Sequence, residues 1–137
     1  KTTAVIKGTE FTIHVKVAFH DRIVAPIFAF SFKNIKGTEI TGTNSMIEKA
    51  FLEPVEAGTV KEVTFKQNMS LQGGEYLLSL GVTGYEGSEF QVYHRLYDVL
   101  NVTVVSDKDT VGFYDMNSKV EVKNAAKDKV IPYRQEA

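Results

Sequence analysis

The stretch "EFTIHVKVAFH", Glu10 to His20, decides the fold class. Phe11, Ile13, Val15, Val17 and Phe19 fall on one side of it; Glu10, Thr12, His14, Lys16 and His20 fall on the other. A strict period of two places alternate side chains on opposite faces of an extended chain, the pattern of a half-buried antiparallel strand. A helix of 3.6 residues per turn would scatter these apolar residues around its whole surface.

The same period recurs downstream. In "APIFAFSFKNI" Phe28, Phe30 and Phe32 share a face, opposite Ile27, Ala29, Ser31 and Lys33. In "VKEVTFKQN" Val63 and Phe65 point in while Glu62, Thr64 and Lys66 point out. "GEYLLSLGVTGY" aligns Tyr76, Leu78, Leu80 and Val82. "EITGT", "LYDVLNVTVV" and "KVEVK" supply further strands. Turn residues separate these runs in "FHDR", "NIKGTE", "EAGT", "LQGGE", "YEGSE" and "SDKD". Short strands at regular spacing predict an all-β, immunoglobulin-like or jelly-roll antiparallel sandwich of about eight strands. Helix is sparse: "SMIEKAFLEPV" offers one turn that Pro54 limits, and "NAAKDKV" another. "LQGGE" reads as a tight hairpin, with Gly73 and Gly74 at positive backbone angles.

The corner "EITGTNSM", Glu39 to Met46, follows the aromatic strand with small polar residues. Gly37 and Gly42 permit tight turning there, and Thr43 and Asn44 can bond exposed backbone. Asn44 reads as structural, not as a ligand contact.

At 137 residues the chain reads as one domain, 1–137, with a core from about residue 8 to 123 and a tail over 124–137. It opens on Lys1, which reads as a piece of a longer protein. A net charge of -1 gives no basic field for nucleic acid, so no nucleic-acid partner is expected. With no cysteine, disulfides and thiolate metal sites are excluded. No apolar run approaches the ~20 residues of a membrane span, and no signal peptide opens the chain.

Catalytic motifs do not emerge. His14, His20 and His94 lack metal-ligand spacing. "DKDTVG", Asp107 to Gly112, copies the opening of a calcium loop but has no acid at Val111 and Ser118 in place of the closing glutamate. "GVTGYEG" has neither the spacing nor the following helix of a dinucleotide loop. Asn68 and Asn101 match the short glycosylation pattern, the second within a predicted strand. No cofactor, metal or enzymatic activity is expected of this domain.

The order of features over residues 8–123 resembles the C-terminal domain of the Wzt family, the nucleotide-binding subunits of ABC transporters that export O-antigen and related polysaccharides. Pro26, Phe30, Lys33, Gly37, Gly42 and Asn44 carry the first part of that likeness. Gly58 and Val63 to Phe65 follow, then Leu71, Gly74, Tyr76, Leu78 and Gly81, then Asp98 in "YDVLNVTV", and last Gly112 with Val120 to Val122. One departure is the absence of tryptophan, since such domains carry aromatic residues on their binding face.

The resemblance implies a polysaccharide-binding domain that recognises its glycan, often at the non-reducing end, and hands it to the export machinery. It implies the transporter's ATPase and membrane subunits as partners, a homodimer, and a cytoplasmic position at the inner face of the membrane. The chain has no Walker sequence, so ATP hydrolysis is not expected of it. The apolar "VIPY", Val130 to Tyr133, could fold back or cross to a second copy. Two other readings stand beside this one: an immunoglobulin-like spacer or interaction module, and a glycan-binding module attached to an enzyme.

Sugars present hydroxyls to polar side chains and C–H faces to aromatic rings. Alternation in "FQVYHRLYD" aligns Tyr93, Arg95 and Tyr97, with Gln91 on the same side, as the first candidate row. His14 and Lys16 on the first long strand, and Ser31 and Lys33 on the next, join it if their strands belong to that sheet.

Overall fold

The computed structural model describes residues 2–126. Among them are seven strands and no helix: β1 (Thr2–Ile6), β2 (Glu10–Ala18), β3 (Ile27–Asn34), β4 (Glu39–Asn44), β5 (Val60–Asn68), β6 (Gly74–Glu86) and β7 (Glu89–Val105). They form a β-sandwich. One sheet has five strands in the order β1-β7-β6-β3-β4, and the other pairs β2 with β5.

The predicted alternation sits where it was read. Ile13 and Phe19 are buried, and Phe11, Val15 and Val17 are half-buried against the opposite sheet. Phe28, Phe30 and Phe32 point into the core from β3, with Tyr76, Leu78 and Val82 beside them from β6. The core forms two clusters. One gathers Ile13, Phe30, Phe32, Met69, Leu71, Tyr76, Leu78, Val102 and Val104; the other gathers Phe19, Phe28, Val55 and Val82. Phe30 and Phe65 meet edge-on across the two sheets at 4.9 Å between ring centroids. Each fully buried side chain of this size contributes about 1.5–3 kcal/mol by leaving water.

Several expectations are corrected. Among the described residues the strands number seven, close to the eight expected, but β1 runs parallel to β7, so the large sheet is mixed and not purely antiparallel. β1 also lies before residue 8, the expected start of the core, and Val5 packs against the main cluster. "KVEVK", Lys119 to Lys123, forms no strand: Val120 and Val122 alternate correctly but find no neighbouring strand among the described residues. "SMIEKAFLEPV" makes turns and no helix. "LQGGE" is not a hairpin, because β5 lies in the small sheet and β6 in the large one, so the segment crosses between sheets. Of its glycines, Gly74 has a positive φ and Gly73 does not. "FQVYHRLYD" and "LYDVLNVTVV" are one strand of 17 residues. "NAAKDKV" is irregular over 124–126 and otherwise lies outside the described residues, as does "VIPY".

The corner after β3 works as two devices. Gly37 turns the β3–β4 hairpin at φ 86°, a conformation that a Cβ disfavours. Gly42 has no such angle. It is small because an added Cβ would stand 2.6 Å from the Phe30 carbonyl oxygen on the neighbouring strand. Asn44 Oδ1 accepts from the backbone N–H groups of Met46 and Ile47 at 3.0 and 2.8 Å, the structural role expected of it. Thr43 bonds the Glu48 carboxylate at 2.6 Å, not backbone.

Candidate functional site

Two strands cannot cover five. The large sheet turns its phenylalanine- and leucine-bearing face to the core and leaves the other face to solvent. Register determines what that outer face carries. Ser31 of β3 lies between Gly42 of β4 and Ser79 of β6. One row along, Ala29 pairs with Gly81, and Gly81 with Arg95 of β7. The result is a floor of small side chains, two strand spacings or ~10 Å across from β3 to β7.

Charged and aromatic groups stand around this floor. Lys33 Nζ lies 2.9 Å from Asp98 Oδ1, bridging β3 to β7 over β6. Arg95 Nη1 donates to the Tyr97 hydroxyl at 3.2 Å, and its guanidinium carbon lies 5.8 Å from the centre of the Tyr97 ring. Tyr97 is 67% exposed.

A bulge sets this geometry. Between Leu78↔Leu100 and Leu80↔Leu96, β7 spends four residues where β6 spends two. Asp98 takes the irregularity at φ 50°, and its backbone N–H donates to Ser79 Oγ at 3.0 Å. A bulge of this kind bends the strand and re-aims its side chains.

The candidate residues therefore do not form one site. Ser31, Lys33 and Arg95 share the outer face of the large sheet, as the register shows; Tyr97, unpaired in the bulge, is placed beside Arg95 by its hydrogen bond and ring contact. Tyr93 does not join them. A second bulge, between Val82 and Thr83, adds a residue at Tyr93 and turns its ring inward against the Phe19–Phe28 cluster and over Gly84. Burial, and then the neighbouring Glu86 carboxylate, push the Tyr93 phenol above its ordinary pKa. His14 and Lys16 are exposed on β2, in the other sheet. Packed sheets are ~10 Å apart and their outer faces point in opposite directions, so these two cannot join the outer face of the large sheet; Lys16 instead lines, with Tyr93 and His94, a cleft between the two sheets. Asp98, Ser79 and Gly81 belong to the face and were not anticipated. Small residues alternating with leucines in "LLSLG" signal Ser79 and Gly81; nothing in the sequence signals the bulge at Asp98.

Asp107 to Gly112 serves as scaffolding. Asp109 Oδ1 accepts from Gly73 N–H at 2.8 Å and faces Lys7 at 3.8 Å. That backbone hydrogen bond, more than the Lys7 charge, holds its carboxyl below the usual value.

With this architecture the chain can be placed among known proteins. The family model described as the Wzt C-terminal domain matches residues 1–116, a span that contains all seven strands. The chain belongs to the Wzt C-terminal domain family. A solved structure described as the crystal structure of the C-terminal domain of Wzt is similar in fold. Its TM-score is 0.80 at 24% identity, covering 88% of this chain and 74% of that one. Comparison by sequence with curated proteins finds no match. Within the family's sandwich, the positions that carried the resemblance have distinct tasks here. Gly42 and Gly81 keep the outer face shallow, Asn44 caps the corner, and Asp98 closes the bridge from Lys33.

Proposed function

We propose that this domain binds an O-antigen-like polysaccharide on the outer face of its five-stranded sheet, as the non-catalytic C-terminal part of an ABC transporter's ATPase subunit. The observation that carries the reading is the constitution of that face. A floor of Gly42, Ser31, Ser79 and Gly81 lies between the Lys33–Asp98 pair and the Arg95–Tyr97 pair. Small residues let a sugar ring approach the sheet. Serine hydroxyls and the ion pair offer donors and acceptors to its hydroxyls, and Tyr97 offers a ring edge and face. Family membership supports the choice of ligand and of transporter.

In this role the domain works beside the membrane subunits at the inner face of the cell membrane, in the cytoplasm, and the ATPase domain supplies the energy. No helix among the described residues is long and apolar enough to cross a membrane. A glycan array, followed by titration of the best binder against Arg95→Ala and Tyr97→Ala, tests the reading. Weakened binding with unchanged melting supports it. Full binding in both variants places the site elsewhere.

A homodimer belongs to the same proposal, because ABC ATPases work in pairs. An exposed apolar strip supports it: Val111, Phe113, Tyr114, Met116, Val120 and Val122 all lie open to solvent after β7. A second copy would cover much of it. Sedimentation as a monomer at high concentration contradicts this part of the proposal alone.

A further inference from the structure

We propose that the sugar recognised on this face carries an anionic substituent, a carboxylate or a phosphate, which Arg95 receives. The inference rests on the carbohydrate reading above and goes beyond it. Two cations face the floor, and they differ in their partners. Lys33 is neutralised by Asp98 at 2.9 Å. Arg95 has no carboxylate within salt-bridge distance among the described residues.

Arg95 is nevertheless held in place. Its guanidinium lies against the Tyr97 ring at 5.8 Å and is pinned by one N–H to the Tyr97 hydroxyl at 3.2 Å. That arrangement uses one edge of the guanidinium and leaves the remaining donors unspent. A planar fork of N–H donors matches the two oxygens of a carboxylate or phosphate. A charge held by an aromatic ring, and not by an acid, keeps its full field for a ligand.

Space and strain point the same way. The cross-strand neighbour of Arg95 is Gly81, so no β6 side chain occupies the position beside the guanidinium. Three residues on, Asp98 sits at φ 50°, an unfavourable angle for a residue with a Cβ. The Lys33 ion pair and the Ser79 hydroxyl hold it there. The bulge thereby fixes the course of β7 beside Arg95 before any ligand arrives. Strain retained by several supports at one place is a feature of binding sites.

The test uses one glucan backbone in three forms: dextran, carboxymethyl-dextran and phosphorylated dextran. Titration of each against the wild-type chain should show at least about tenfold tighter binding of one or both charged forms at low salt, the preference shrinking as salt rises. Whichever charged form binds better identifies the group. Arg95→Gln should abolish the preference, whereas Lys119→Gln, in the segment after β7, should retain it. Equal binding of all three, no binding of any, or an undiminished preference in Arg95→Gln overturns the inference. The carbohydrate reading survives those results as long as a neutral glycan on the array binds and Tyr97→Ala weakens it; it fails if no glycan on the array binds, and its placement on this face fails if Tyr97→Ala binds as well as wild type.

Discussion

At the scale of single residues, neighbours along one strand have opposite tasks. Arg95 stands on the outer face, and truncating it removes donors without opening the core. Arg95→Ala should weaken glycan binding by about 1.5–3 kcal/mol, the range for a hydrogen bond to a charged group. Its melting temperature should stay within a degree or two of wild type, because an exposed side chain carries little stability. Tyr93→Ala should do the reverse. Its ring packs on Gly84 and the Phe28 cluster, so its loss should cost roughly 2 kcal/mol of stability and leave glycan affinity nearly unchanged. Parallel calorimetric titrations and thermal melts on the two variants check both claims. A third residue tests the sheet itself. Asn101 Oδ1 is buried without a hydrogen-bond partner. Asn101→Val removes that orphaned acceptor and puts a strong strand former in its place, so the urea midpoint should rise, by about 1 kcal/mol in stability.

At the scale of elements, β4 shows how one edge strand is tied to the sheet. Gly42 lets β4 lie close against β3, and Ser45 fastens its end. The Ser45 hydroxyl accepts from the buried Phe28 N–H at 2.9 Å, while its own N–H donates to the Phe28 carbonyl at 2.9 Å. A Cβ at Gly42 would press on the backbone carbonyl of Phe30, which cannot rotate away as a side chain could. Gly42→Ala should therefore cost about 1–3 kcal/mol, as overpacking does. Denaturant unfolding measures it. Because Gly42 also belongs to the floor, a stable Gly42→Ala with normal affinity would show that β4 shifts freely. The element scale is also where sequence reading loses its grip. "LQGGE" has the residues of a hairpin, and yet it crosses between sheets. Turn chemistry records how sharply the backbone bends, not which sheet the next strand joins. "KVEVK" has the alternation of a strand but no neighbour to bond, and a strand exists only when another strand satisfies its backbone groups.

At the scale of the whole molecule, one buried lysine ties together three distant segments. Lys7, whose side chain is only 9% exposed, lies 2.9 Å from Asp115, whose side chain is 5% exposed. The same ammonium donates to Gln72 at 2.9 Å and to the Lys108 carbonyl. It thus joins the β1–β2 turn, the crossing before β6 and the segment after β7. Leu71 and Tyr114 add a bridge, and Asp115 N–H donates to the Ser70 carbonyl at 2.8 Å. The bond from Lys7, then the Asn117 N–H, hold the Asp115 carboxyl down at about 2. Unfolded aspartate titrates near 3.9. The folded pKa is the lower one, so the charged carboxylate stabilises the fold fully above pH ~4, and that contribution is lost as pH falls through about 2. Urea midpoints between pH 5 and 2 should fall steeply in the wild type and less steeply in Asp115→Asn, which should also be less stable at neutral pH. Parallel slopes would assign the acid sensitivity to other carboxylates.

What the sequence determined by itself was everything that repeats along the chain. The alternation of Phe11 to Phe19, of Phe28 to Phe32 and of Tyr76 to Val82 states which side chains leave water, and burial of one strand face follows locally from that pattern. The sandwich, the core, the capping role of Asn44 and the outward direction of Ser31, Lys33, Arg95 and Tyr97 were legible for this reason. What only the tertiary structure decided was adjacency. His14 and Lys16 point outward as truly as Ser31 and Lys33 do, but from the opposite sheet. Sheet membership depends on long-range backbone pairing, to which alternation within a strand is indifferent. The bulges at Tyr93 and Asp98 are decided in the same way. An extra residue is a mismatch in length between two paired strands, so it appears only when β6 and β7 are laid side by side. By inserting one residue it turns Tyr93 into the core, and by inserting two it brings Asp98 to Lys33.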